Sequence, residues 1–84
     1  MTGSRTADTN ALVEYLVTAL VDNPDDVRIE RREGPSSTAY AIAVHPDDTG
    51  KIIGRQGRVI KAIRVLVRAA ASVDGSDATV DVIG

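Results

Sequence analysis

Residues 50–64 read Gly50-Lys51-Ile52-Ile53-Gly54-Arg55-Gln56-Gly57-Arg58-Val59-Ile60-Lys61-Ala62-Ile63-Arg64. Two glycines bracket two polar residues, with Ile52-Ile53 before them and Val59-Ile60 after. Apolar residues recur at helical spacing on both sides, so the stretch reads as helix, tight turn, helix. Glycine lacks a Cβ, which permits the sharp reversal and lets a phosphodiester backbone lie directly against the main chain. The N–H groups and dipole at the start of the second helix favour an anion there. Arg55 can neutralise a phosphate, and Gln56 can donate a hydrogen bond without charge. Lys51, Arg58 and Lys61 line the approach. A hairpin turn that needs glycine only for packing would account for the glycines. It would not account for Arg55-Gln56 or for the surrounding cations.

Working outward, the second helix is expected over about Arg58 to Val73. A helical wheel places Val59, Ala62, Ile63, Leu66, Val67, Ala70 and Val73 on one face and Lys61, Arg64 and Arg68 on another. Asp74-Gly75 ends it, with glycine able to take the left-handed cap. Before the turn, a helix of about two turns reaches Ile53, with Asp47-Asp48-Thr49 at its start, where acidic and hydroxyl groups favour a helix N-terminus. Upstream again, Thr38 to His45 alternates as a strand. Tyr40, Ile42 and Val44 fall on one side and Ala39, Ala41 and Ala43 on the other; the small side suits a face close under helices. Val27 to about Glu33 is a second strand, joined to it by Gly34-Pro35-Ser36-Ser37 as a hairpin. About Asn10 to Val21 is helical, with Leu12, Leu16, Ala19 and Leu20 recurring at threes and fours and Val13 and Val17 beside them. Asn10 is a plausible N-cap, and Asp22-Asn23-Pro24 stops the helix. Ala78 to Ile83 is a third strand, and residues 1–9 form a loose tail. The expectation is an α+β fold of order α-β-β-α-α-β. Three strands lie in one sheet and the helices pack on one face, since each helix has a single apolar stripe.

The whole chain has 84 residues, room for one small domain. It has no cysteine and one histidine, which excludes a thiol nucleophile and a Cys/His zinc cluster. Two tyrosines are its only aromatics, too few for a base-stacking platform. No apolar run is long enough to span a membrane and no secretory leader is evident, which points to the cytoplasm and to no membrane partner. The net charge of −2 hides an uneven distribution: −5 over residues 1–49, +6 over 50–73 and −3 over 74–84. The basic block holds Lys51, Arg55, Arg58, Lys61, Arg64 and Arg68 and no acid, the composition of an anion-binding face.

Other constellations are weaker. His45 has no second histidine or cysteine to work with and reads as a strand-end residue before proline. Asp47 and Asp48 suit helix capping better than metal binding. Asp22, Asp25 and Asp26 lack the ordered spacing and closing glutamate of a calcium loop. Gly50-Lys51-Ile52 puts isoleucine where a P-loop needs Ser or Thr for magnesium. Tyr15 and Tyr40 read as packed residues. No nucleophile–base pair is present, so an enzyme is not expected, and no cofactor or metal is implied. Val65 falls between the apolar and basic faces of the long helix. With Leu66 and Val73 it is a candidate for a two-fold contact between copies.

The segment from Ile52 to Ile60 resembles the GXXG region of the KH-domain family, and the element order resembles its type II arrangement. The resemblance spans residues 10–84. It implies a three-stranded mixed sheet backed by three helices, and a groove that holds a short single-stranded RNA. In this sequence the GXXG is Gly54, Arg55, Gln56 and Gly57, flanked by groove positions Ile52, Ile53, Val59, Ile60 and Ile63. The expected RNA-binding set is therefore Gly54, Arg55, Gln56, Gly57, Lys51, Arg58, Lys61, Ile53 and Ile60. The resemblance further implies a homodimer, a heteromer with a larger KH-containing partner, and an RNA chaperone or post-transcriptional regulator linked to cell shape and envelope. The competing reading is a KH fold that acts mainly as a dimerisation or docking module.

Overall fold

A computed structural model describes residues 9–83. The expected tail lies outside the described residues except for Thr9, which opens the first helix. The elements are α1 (Thr9–Leu20), β1 (Arg28–Glu33), β2 (Ser37–Ala43), α2 (Thr49–Ile53), α3 (Arg58–Ser72) and β3 (Asp77–Val82). Single 3-10 turns occupy Pro24–Asp26, Pro46–Asp48 and Arg55–Gly57. This is the α-β-β-α-α-β order in an α+β fold. No helix among the described residues is long and apolar enough to cross a membrane.

The sheet order is β1-β2-β3. β1 and β2 form the antiparallel hairpin, with Ile29 opposite Ile42. β2 and β3 run parallel, with Tyr40 opposite Val80. A parallel pair cannot be closed by a tight turn, so the chain crosses over one face of the sheet through α2 and α3. The core lies beneath this crossover. It joins Val13 and Val17 of α1, Tyr40 and Ile42 of β2, Ile52 of α2, Ile60, Ile63, Val67 and Ala71 of α3, and Ala78 and Val80 of β3.

Several details depart from the sequence expectation. On β2 the large side chains, not the alanines, face the helices: Tyr40 and Ile42 are buried while Ala39 is exposed. A chain with few aromatics fills its core volume from the large side of its central strand. On α1 the buried residues are Val13 and Val17, while Leu12 and Leu16 are half-buried and Ala19 and Leu20 exposed; the buried stripe is turned by one residue. On α3 the buried stripe is Ile60, Ile63, Val67 and Ala71. Ala62, Leu66 and Val73, expected on the inner face, are exposed. Asn10 is the second residue of α1 rather than its cap. Tyr15 is 70% exposed and not packed.

The buried stripe fixes the face of α3, and one flank is tied as well. Arg64 donates from Nε to the Val80 carbonyl at 2.9 Å and reaches Asp81 at 3.4 Å. Arg68 meets Asp77 at 3.3 Å. Two arginines one turn apart thus tie α3 to strand β3 beside the buried Ile60, Ile63 and Val67. Because Ile63 is 3% exposed, Ile63→Ala is expected to destabilise the fold by about 2–5 kcal/mol. Urea unfolding measures this, and a loss within about 0.5 kcal/mol, the surface norm, would contradict the assigned helix face.

Candidate nucleic-acid interface

The turn between α2 and α3 is built by backbone geometry that two glycines supply. Gly54 has φ +77°, and its N–H bonds the Gly50 carbonyl at 2.8 Å, closing α2. A Cβ on Gly54 would stand 2.4 Å from Val59 Cγ2 and 2.8 Å from the Val59 nitrogen. Any side chain there would push the first turn of α3 away. Gly57, at φ +72°, is the left-handed residue before α3, and its N–H bonds the Gly54 carbonyl at 3.1 Å. Between them Gln56 also has positive φ, +57°, and no other non-glycine among the described residues does. That conformation costs an L-residue about 1–2 kcal/mol, and such strain collects at ligand clamps. Its result is that Arg55 and Gln56 both stand exposed on the outside of the turn.

The six cations of the basic block are not equivalent. Lys51 pairs with Asp22 at 2.5 Å and Asp48 at 3.2 Å. Arg64 and Arg68 pair with Asp81 and Asp77. Arg55, Arg58 and Lys61 have no carboxylate partner among the described residues. Arg58 instead donates to Gln56 Oε1 at 3.3 Å. The three cations left over all sit on the glycine turn or the first turn of α3, so the unneutralised positive charge of the block is concentrated there. Of the two aliphatics expected to bind, Ile53 is 37% exposed beside the turn, whereas Ile60 is 7% exposed and belongs to the core. Ile52 and Ile63 are core residues too, and Val59 is half-buried against it.

Asp48 is the residue that sequence reasoning missed. Its side chain does not cap α2. It is fully buried and takes two donors on each oxygen. Oδ1 accepts from Asp22 N–H at 3.2 Å and Lys51 Nζ at 3.2 Å. Oδ2 accepts from Asn23 N–H at 3.0 Å and Asn23 Nδ2 at 3.1 Å. Burial pushes its pKa up. The hydrogen bonds from the Asn23 side chain, the two backbone N–H groups and Lys51 outweigh that and bring it down to about 2. The two bonds from Lys51 to Asp22 and Asp48 raise the ammonium pKa despite its partial desolvation. The local signal was present on both sides, a helix stop at Asp22-Asn23 and an acidic pair at Asp47-Asp48, but nothing in one segment names the other. His45 caps the preceding 3-10 turn, its Nδ1 accepting from Asp47 N–H at 3.0 Å.

Two further surfaces complete the inventory. Val65, Leu66 and Val73 are 67%, 50% and 65% exposed on the outer side of α3. A concavity of about 600 Å³ lies between the β1–β2 turn and the end of α3. None of its lining residues belongs to the glycine turn.

Residues 10–82 match the KH-domain family of KhpA and KhpB. The chain is 47% identical over 72 residues to the RNA-binding protein KhpA of Halalkalibacterium halodurans, covering 86% of this chain and 95% of that protein. It is 52% identical over 59 residues to KhpA of Bacillus subtilis, covering 70% and 73%. It is 46% identical over 71 residues to KhpA of Mycobacterium tuberculosis, covering 84% and 85%.

The buried carboxylate gives the fold an acid sensitivity of definite sign. A carboxyl with a folded-state pKa of about 2, below its unfolded value of about 3.9, contributes stability that is complete above the unfolded pKa. That stability is lost as pH falls through the folded one. Urea unfolding at a series of pH values is expected to show it draining between about pH 4 and pH 2. Asp48→Asn should be less stable at neutral pH and lack this part of the acid dependence; a variant with the parent's profile would contradict the assignment.

Proposed function

Because the chain belongs to the KhpA/KhpB family of KH domains, we propose that it binds single-stranded RNA at the Gly54–Gly57 turn and acts as a binding protein rather than an enzyme. The observation that carries this reading is the coincidence of three carboxylate-free cations, Arg55, Arg58 and Lys61, with a turn that only glycine can make. The RNA backbone lies across the turn at Gly57, where no Cβ intervenes. Arg55 and Arg58 neutralise phosphates, and Lys61, one turn into α3, meets the next one along. The Gln56 amide group donates without adding charge. Ile53 offers an apolar contact to a base.

One such domain holds only about four nucleotides, so a single site is weak. Joining two in one particle turns the second contact into an intramolecular one. The exposed Val65, Leu66 and Val73 supply an apolar patch for that purpose. A shallow concavity of about 400 Å³, lined by Val65, Ala69 and Ser72 among others, lies beside it. The proposal is a homodimer through this face, the same face being open to a larger KH-containing partner of the KhpB kind. The competing reading, a docking module acting through protein contacts alone, is favoured by this patch and disfavoured by the intact turn with its free cations. The family resemblance extends the proposal to an RNA chaperone or post-transcriptional regulator in the cytoplasm, linked to cell shape and envelope.

Replacing Arg55 and Gln56 together by aspartate is expected to abolish RNA binding with the fold intact, because two negative charges would face phosphates at close range. In anisotropy titrations the parent's affinity should fall with salt at a log–log slope of roughly −1.4 to −2.1, for two or three phosphates at about −0.7 each. Undiminished binding by the double variant, or a slope near zero, would sink the proposed site.

Val65→Lys places a charge in the apolar patch and is expected to convert a dimer to a monomer. Light scattering of variant and parent checks this; a parent that is monomeric at tens of micromolar, or a variant that stays dimeric, would move the interface elsewhere.

A further inference from the structure

The RNA-binding reading leaves one cation of the basic block without a clear task. Lys51 lies close in sequence to the glycine turn, yet it alone of the six pairs with two carboxylates among the described residues. We propose that Asp48, Asp22 and Lys51 form a lock that sets the position of the Gly54–Gly57 turn, with Lys51 a positioning residue and not a phosphate contact. The inference rests on that turn being the RNA site.

Three observations support it. First, α2 has five residues, far too few to hold a helix by its own hydrogen bonds. It is fixed from outside, by Ile52 in the core and by the Asp48 carboxylate at its start. Second, the lock spans two elements distant in sequence. Asp48 takes the N–H groups of Asp22 and Asn23, just past the end of α1, and Lys51 Nζ returns from α2 to both Asp48 and Asp22. The start of α2 is thereby pinned at two points, Asp48 and Lys51, six and three residues before Gly54. Third, the local charge is wrong for a phosphate. One ammonium stands between two carboxylates, of which Asp48 is held ionised by its four donors, so the group carries a net charge of −1. An RNA phosphate brought to Lys51 would meet the exposed Asp22 carboxylate as well.

The two roles predict opposite signs for one substitution. If Lys51 were a phosphate contact restrained by Asp22, Asp22→Asn would release it and tighten binding. If the three residues are a lock, Asp22→Asn loosens α2 and weakens binding. The full chain, Asp22→Asn and Lys51→Met are titrated against a short fluorescent single-stranded RNA of mixed sequence across a salt series. Amide hydrogen exchange is followed on the free proteins. Both variants are expected to bind about three- to tenfold more weakly at fixed salt, with the parent's salt slope. Both should exchange the amides of residues 54–61 faster while residues 63–71 are unchanged. Tighter binding by Asp22→Asn, a slope shallower by about 0.7 in Lys51→Met, or unaltered exchange at the turn would overturn the lock. A parent that binds no RNA would refute the binding site instead, and the exchange data would still decide the lock.

Discussion

Parallel pairing of β2 with β3 obliges the chain to leave one end of the sheet and return to the other. In this small fold the return path reverses direction within four residues. The reversal is possible because Gly54 has no Cβ where Val59 comes to rest. Its consequences reach outward in both directions. Ile52 on one side and Ile60 and Ile63 on the other enter the same core only if α2 and α3 meet at this close turn. The left-handed conformations of Gln56 and Gly57 that complete the reversal also expose two polar side chains and an open stretch of main chain. The feature that closes the fold and the proposed binding surface are therefore the same few residues.

Charge is sorted by tertiary structure along the same line. The count of six cations and no acids is a property of the segment, and the fold cancels half of it. Asp77 and Asp81 arrive from β3 to meet Arg68 and Arg64, and Asp22 and Asp48 arrive from the other side to meet Lys51. The exposed pairs with Asp77 and Asp81 contribute little stability singly. Their larger effect is on where positive potential remains. What is left lies at Arg55, Arg58 and Lys61, on the glycine turn and the start of α3.

The sequence made the turn legible because its chemistry is local: two glycines, two polar residues and aliphatic flanks within one short run. Element order and sheet composition were legible for a similar reason, since Pro24, Gly34-Pro35, Pro46 and Gly75 punctuate the chain. The faces of the elements were less so. A wheel counts Leu66 and Val73 as core because they are apolar, and cannot know that the sheet will cover the Ile60, Ile63, Val67 and Ala71 stripe instead. Alternation on β2 shows that Tyr40 and Ala41 point to opposite sides, but not which side the helices cover. Asp48 was the least legible, as its partners at Asp22 and Asn23 stand 26 and 25 residues upstream. Short-range patterns announce turns and periods. Partners distant in sequence decide rotations and buried charges.

An acidic chain can still bind a polyanion when its cations are this concentrated. Screening limits the reach of each charge to about 8–10 Å at ordinary ionic strength. A phosphate at the glycine turn therefore responds to Arg55, Arg58 and Lys61 and little to the acids on remote strands. The same screening works against long-range capture, since the molecule as a whole repels RNA weakly. Affinity must come from contacts made at close quarters by a turn already in place. A pre-set geometry matters more under those conditions than an additional cation would. On the proposed lock, that is the physical sense of binding Lys51 to two carboxylates: its charge would be given up to hold α2, and Arg55, Arg58 and Lys61 would act from a fixed position.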